Sequence, residues 1–482
     1  MTGILIFGIK LFNYVVITYF VLLNSVYLIT SLIAFREIRR YIRRLRSLDI
    51  SAFLVSEGVP PVTVIMPAFN EEANCVQSTR SLLTLNYANC EIVVVNDGSR
   101  DATLTRMVEA FDLTPAARLP TADIPTAPVR KIYQSRRFPT LWVIDKENGG
   151  KADALNTGLN HCQTPLYCAM DADSLLEREA LTRIVRPFLE NGDTIAAGGI
   201  IRIANGCHVE AGVVTEVRLP RKFLAGFQAL EYLRAFLAGR MGWSAFDATL
   251  IISGAFGLFR RSIVVDAGGY ATARTSGATV GEDMELVVRL HRHCRERGIR
   301  YRISFVPDPV AWTECPESLR VLGRQRDRWQ RGMAESLMRH RVMLFNPRYG
   351  RIGTLAYPYF FLFETFGPLI EIGGYVSFIK AILLGQASTL FVIAFFTVAF
   401  VFGMVLSVAA VGLEELGFRR YPRVGDLLRL LALAVIENIG YRQLTSWWRF
   451  RGLVSALRRK TAWGDMARTG FLVKAADPSR PD

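Results

Sequence analysis

The sequence predicts an α/β domain with a mostly parallel sheet, inserted between membrane-spanning helices. Three observations predict it: two long uncharged runs, an alternation of short β-rich runs with helical stretches between them, and a composition too apolar for an ordinary soluble enzyme. Of the 482 residues, 51% are hydrophobic, which at this length implies a membrane part beside a soluble one. The 58 Lys+Arg against 43 Asp+Glu leave a net charge of +15, compatible with nucleic acid, anionic lipid or acidic substrates.

The first uncharged run, Leu11–Phe35, is long enough as a helix to cross about 30 Å of hydrocarbon. The basic cluster REIRRYIRRLR (Arg36–Arg46) comes directly after it, the pattern of an anchor and not of a cleaved signal peptide. The positive-inside rule then puts the N-terminus outside and the chain beyond the cluster in the cytoplasm. Residues 1–50 are read as this anchor with its basic juxtamembrane helix, and 60–345 as the cytoplasmic domain. The second uncharged run, Ala381–Leu413, is too long for one helix and is broken by GQAS (Gly385–Ser388). It reads as a hairpin with spans near 365–384 and 389–413, inside a membrane block 352–413 that ends in the basic EELGFRRYPR. Residues 414–482 read as cytoplasmic: the run Leu427–Ile436, flanked by Asp426, Arg429, Glu437 and Arg442, as an interfacial amphipathic helix, and Arg458, Arg459 and Lys460 as inner-leaflet charge. A multi-pass protein of the inner (plasma) membrane, in contact with its lipids, is expected. With the positive charge largely juxtamembrane and no recognition motif, no nucleic-acid partner is expected.

The seven cysteines are scattered without CxxC pairing and read as reduced core thiols. His291 and His293 do not share a helix face and read as surface residues rather than zinc ligands. The Thr/Pro/Ala-rich segment Leu113–Val129 reads as a surface loop.

VTVIMP (Val62–Pro67), EIVVVN (Glu91–Asn96), LWVID (Leu141–Asp145) and LYCAM (Leu166–Met170) are each succeeded by polar residues and then a helical stretch. Such alternation implies a parallel sheet covered on both faces, with ligands at the carboxyl ends of the strands. Those ends carry NDGSRD and MDADS, so Asp97, Asp171 and Asp173 converge on one edge. Either motif alone could be turn chemistry. Together, carboxylates two apart at a strand end suit a hard cation such as Mg²⁺ or Mn²⁺ bridging to phosphates. In KENGGKADALN (Lys146–Asn156), Gly149 and Gly150 allow close backbone approach and Lys151 starts a helix where N–H groups favour an anion; a plain Gly-Gly turn is the alternative. GED (Gly281–Asp283) opens another helix, in itself a weak signal. No GxGxxG or GxxxxGK[ST] occurs in this domain, which disfavours a dinucleotide fold or P-loop.

MPAFNEE, NDGS, GGKADALN, DAD, SGAFGLFRR, GED and QRDRW, in this order and rough spacing, resemble the processive, membrane-integrated glycosyltransferases of family two, the group of cellulose, chitin, hyaluronan and poly-N-acetylglucosamine synthases. The resemblance covers about Pro60 to Leu344 and the membrane pattern on both sides. Gly281 stands where the family often has Thr, and no cyclic-dinucleotide-binding domain comes after the last span; the latter bears on regulation, not chemistry. The resemblance implies a GT-A type domain and an inverting, metal-dependent hexosyltransferase. Its donor would be a UDP-sugar of the UDP-glucose or UDP-N-acetylglucosamine class, its acceptor a growing β-linked polysaccharide exported through its own membrane segment, with room for periplasmic or cell-envelope partners. It further implies Asp283 as the base that takes the acceptor proton, Asp173 as the ligand of Mg²⁺ or Mn²⁺, and Asp171 at the ribose and diphosphate. Asp97 with Pro67, Phe69 and Glu71 would meet the uracil, Lys151 the nucleotide diphosphate, and Glu282 the acceptor side.

In QRDRW, Gln325, Arg328 and Trp329 fall on one helix face. Arg328 can bind diphosphate oxygens, Gln325 polar groups nearby, and Trp329 can stack on an acceptor sugar, whereas Arg326, Asp327 and Arg331 are expected in solvent. An amphipathic helix snorkelling at the membrane surface is the plainer alternative. Glu364 and Glu371 share a face around Pro368, which would kink the helix and free carbonyls; a polar conduit and interfacial ion pairing are both open. Transfer of one sugar to a lipid is the alternative reaction, and an inactive transferase domain on a channel or scaffold the alternative class. Retention of every acidic and QxxRW position argues against the latter.

Overall fold

The computed structural model describes residues 2–47 and 59–458; Arg459 and Lys460 lie outside them. The described residues fall into two compact units. One comprises the chain up to Tyr41, Lys222–Ala248 and the part from Pro316 on; the other comprises Ile42–Arg221 and Thr249–Cys315.

The second unit is the α/β domain. Among the described residues its sheet has ten strands. At its centre Leu141–Lys146, Cys90–Asn96, Val62–Ala68 and Leu166–Ala169 run side by side and parallel. These are the four apolar runs of the sequence, and their residues are buried almost throughout because helices cover both faces. Gly257–Arg260 then adds antiparallel to Leu166–Ala169, and beyond it lie Thr194–Ile203 and Arg302–Thr313, parallel to each other. Register aligns Ala68 with Asn96 and Asn96 with Asp145. Phe69, Asp97 and Lys146 therefore leave the sheet at the same edge. Ile65, Val93, Val95 and Ile144 pack on Leu155, Leu159, Leu286 and Leu290 of two covering helices.

Two expectations fail in this unit. Leu113–Val129 is more than a surface loop: Leu113–Pro115 pairs with Val129–Ser135, and Arg118 is buried in a double hydrogen bond to Glu91, both at 2.6 Å. Asn160 fastens the same segment by exchanging two hydrogen bonds with the backbone of Ile124. His291 is not at the surface either, being only 1% exposed. Its Nε2 faces the Thr249 carbonyl at 2.8 Å, which can only accept, so that nitrogen carries the proton and Nδ1 accepts from the Tyr301 hydroxyl at 2.8 Å. Burial first, and the nearby Arg295 second, push its pKa down to about 4 despite the Thr249 hydrogen bond. A folded pKa below the unfolded one adds stability that is complete above about pH 6.5 and is lost as pH falls toward 4. The wild type should lose about 3 kcal/mol over that window. Melting curves at pH 7 and pH 4 for wild type and His291→Gln test this; equal losses in both would assign the acid sensitivity elsewhere.

The first unit is helical. Phe7–Leu45 and Thr389–Gly417 are each long and apolar enough to cross a membrane, and Ile352–Thr365 with Gly367–Leu383 forms a third such stretch bent by 43°. The bend has a covalent cause. Pro368 has no N–H to give the Glu364 carbonyl four residues back. That oxygen accepts instead from Gln330 Nε2 at 3.0 Å and from Arg449 Nη2 at 2.7 Å, and the neighbouring carbonyls of Phe363 and Thr365 accept from Tyr19 and Gln330. The Glu364 carboxylate pairs with Arg449 at 3.0 Å and accepts from the hydroxyls of Tyr27 and Tyr359. Glu371 accepts from Ser446. Glu364 is thus held in an ion pair and Glu371 in a hydrogen bond. Helices Val424–Ile436 and Tyr441–Leu457 complete the unit's described part.

Candidate active site

Asp97 comes directly after the strand Cys90–Asn96, and its carboxylate is 2% exposed. It accepts from Lys146 Nζ at 2.8 Å, from the backbone N–H groups of Gly149 and Gly150 at 2.9 and 2.8 Å, and from Asn148 Nδ2 at 3.1 Å. Burial pushes its pKa up, and these donors work against that rise. Lys146, itself fully buried, also pairs with Asp153 at 2.7 Å. The Gly-Gly loop is thus bolted to the sheet edge. Both glycines are needed: Gly150 has φ +91°, and a Cβ on Gly149 would lie 2.4 Å from the Asp153 carboxylate.

The bolted loop delivers Lys151 as first residue of the helix Lys151–His161. Its ammonium sits 2.6 Å from Asp171 and 2.9 Å from Glu282. Burial alone would lower its pKa, but Asp171, Glu282 and Asp283 more than reverse this and hold it charged. Lys151 therefore joins the end of the strand Leu166–Ala169 to the start of the helix Glu282–Glu296. Asp283, also in that first turn, accepts from the Gly254 N–H at 3.0 Å. Gly254 lies so close that a Cβ there would come within 2.8 Å of Lys151 Nζ. Glu282 and Asp283 line a small cleft with the apolar Leu155, Ile252, Phe259 and Tyr270. Asp173, half-buried, stands at the turn into the strand Ser174–Leu176.

Pro67 is within its strand, and Phe69 just beyond it is 45% exposed. Asn70 is left-handed at φ 54°, its backbone N–H bonding to Ser99 Oγ and its side chain accepting from the Arg100 N–H. Glu71, buried, gives its N–H to Thr103 Oγ1 at 2.8 Å. MPAFNEE and NDGSRD thus form one cross-linked surface.

In the helical unit, Gln325, Arg328 and Trp329 lie on the helix Leu319–Arg339, which Ser318 caps. Gln325 is buried, Arg328 half-buried and Trp329 42% exposed. Arg326 and Arg331, expected in solvent, are 2% and 5% exposed; a helix packed on two sides has no fully solvated face. Sequence reasoning also passed over Lys146, Asp153 and Gly254. Lys146 opened a motif already singled out, but nothing in the sequence marks it as buried.

Among the described residues no three His, Cys, Asp or Glu gather to hold a metal by themselves. An oxygen-only donor set with few carboxylates still fits a hard cation that draws its other ligands from substrate phosphates.

The family model "Glycosyltransferase like family 2" matches residues 60–332. Poly-beta-1,6-N-acetyl-D-glucosamine synthase of Staphylococcus aureus (strain COL) is 27% identical over 333 residues, 68% of this chain and 67% of that protein. The synthase of the same name from Staphylococcus epidermidis is 26% identical over 284 residues, 59% of this chain and 57% of that one. A mannosyltransferase from Pyrobaculum calidifontis, solved with GDP-Man and Mn2+, has a TM-score of 0.50 at 16% identity, covering 92% of this chain and 100% of its own; that likeness shows the shared fold. With its α/β domain and the whole of residues 60–332 inside the match, the chain belongs to the glycosyltransferase-like family 2.

Proposed function

We propose that this chain polymerises a β-linked polysaccharide from a UDP-sugar by inverting transfer. The observation that carries the reading is Lys151, whose ammonium ties Asp171 of the DAD motif to Glu282 beside Asp283. Donor-side and acceptor-side acids so meet around one cation. The staphylococcal relatives, named as poly-N-acetylglucosamine synthases, support UDP-N-acetylglucosamine within the UDP-hexose class.

In this reading Phe69 and the turn to Glu71 receive the uracil, and Asp97 serves the donor through the loop it holds. Asp171 and Lys151 meet the ribose and diphosphate, with Arg328 and Gln325 assigned to phosphate oxygens and Trp329 to the acceptor ring. Asp173 would hold Mg²⁺ or Mn²⁺ together with the diphosphate. When bound, the cation neutralises charge on the leaving diphosphate. Asp283 takes the proton from an acceptor hydroxyl as its oxygen bonds to the anomeric carbon; the bond to the diphosphate breaks on the opposite side and UDP departs. One such displacement turns an α-linked donor into a β-linked product. The topology proposed with it has the N-terminus outside, the transferase domain in the cytoplasm, and export through the chain's own membrane helices.

The test is a panel of radiolabelled UDP-sugars given to detergent-purified protein, with and without EDTA, and products sized on a gel. A ladder from one UDP-hexose, stopped by EDTA, is expected. One lipid-linked species of single size would replace polymerisation by single transfer, and full activity in excess EDTA would remove the metal and the role of Asp173.

A further inference from the structure

The exposed ring of Trp329 is backed by a buried cation. Arg326, three residues earlier on the helix Leu319–Arg339, donates from Nη2 to Glu231 Oε2 at 2.7 Å. Glu231, on the helix Phe223–Leu233, also accepts from the hydroxyl of Tyr441 at 3.0 Å, the first residue of the helix Tyr441–Leu457. Three helices thus meet at one carboxylate. The Arg326 guanidinium carbon lies 4.3 Å from the centroid of the Trp329 ring, while its Nε and Nη1 are buried without a hydrogen-bond partner. Buried donors left unmade are costly, and the indole face is what the guanidinium meets in their place. A planar cation against one face restricts the rotation of the ring, the Tyr232 ring stands at a tilt of 38° with its centroid 6.4 Å away, and 42% of Trp329 stays exposed.

We propose that Arg326 is a positioning residue for the acceptor: anchored by Glu231 and Tyr441, it sets the plane in which Trp329 offers its exposed surface to a sugar ring. This rests on Trp329 being the acceptor platform. A lysine at 326 can keep an ion pair with Glu231 but has no planar group to lay against the indole. A methionine keeps the apolar length and loses both.

The experiment measures polymer formation by purified full-length protein against short β-linked oligomers of N-acetylglucosamine, in wild type, Arg326→Lys, Arg326→Met, Trp329→Ala and the Arg326→Met/Trp329→Ala double variant. Arg326→Lys, chosen to fold, should raise the KM for the oligomer about tenfold, the loss expected for a desolvated cation–π contact, with kcat and the KM for UDP-sugar moving little. In the Trp329→Ala background, Arg326→Met should add nothing further, because its effect passes through the ring. The same penalty with and without Trp329, or an Arg326→Lys enzyme with wild-type oligomer KM, overturns the proposal. Should Trp329→Ala itself leave the oligomer KM unchanged, the platform reading falls first and the positioning role with it.

Discussion

Asp283→Asn should lower sugar transfer by about 10³-fold or more while UDP binding stays within a few fold. The amide matches the carboxylate in size, and its one oxygen can keep the acceptor contact with either the Gly254 N–H or the Met284 N–H, so the start of the Glu282–Glu296 helix loses a single backbone contact. What is lost is the capacity to take a proton as the acceptor oxygen attacks. The donor side should notice little, because of the three acids that hold Lys151 charged, Asp283 contributes least, and Asp171 and Glu282 stay at hydrogen-bond distance. UDP release under saturating donor, beside calorimetric UDP binding, separates the two effects. Affinity for UDP falling in step with the rate would make Asp283 a donor-site residue and strip it of the base role.

The largest effect on stability is expected at Lys146. Its ammonium, with no exposed surface, is shared between Asp97 and Asp153, whose side chains are 2% and 0% exposed. Lys146→Met would leave both carboxylates buried; Asp153 would keep only Arg274 at 3.5 Å and two contacts with the Ala127 N–H. Breaking a buried pair from one side costs about 3–5 kcal/mol, which for a domain of this size lowers the melting temperature by roughly 10 °C. Removing the charge of both partners should restore part of this, so Lys146→Met/Asp153→Asn should melt above the single variant. A single variant melting with the wild type would mean that the two acids do not need a cation.

The parts of the fold readable in the sequence were those where one local signal is enough. Val62–Ala68, Cys90–Asn96, Leu141–Lys146 and Leu166–Ala169 are apolar runs ended by turn residues, and a strand buried on both faces needs no more information than that. Lys151 as a helix start is legible from the glycines before it. The antiparallel strand Gly257–Arg260 and the edge pair formed by Leu113–Pro115 were hidden, since which neighbour a strand finds is a matter of distant residues. The same holds for polar burial. Lys146, Arg118, Arg326 and His291 look like surface residues in a row of letters; only the facing Asp153, Glu91, Glu231 and Thr249 make their interior positions tolerable. The candidate site was legible as a set of acids with Lys151 beside them; the ion pairs by which Lys151 joins Asp171 to Glu282 were not.

The bend at Pro368 bears on the order of assembly. The Glu364 carbonyl, in a stretch apolar enough to cross a membrane, takes hydrogen bonds from Gln330, 34 residues before it, and from Arg449, 85 residues after it. A carbonyl turned away from water finds no substitute donor. During synthesis the upstream donor is already made when this stretch emerges, whereas the downstream one is still unwritten. The bent segment must therefore wait, half satisfied, until the helix Tyr441–Leu457 arrives. Truncation before Arg449 would strand it in that unfinished state, so the last described helix acts as the closing step of biogenesis for a segment made long before it.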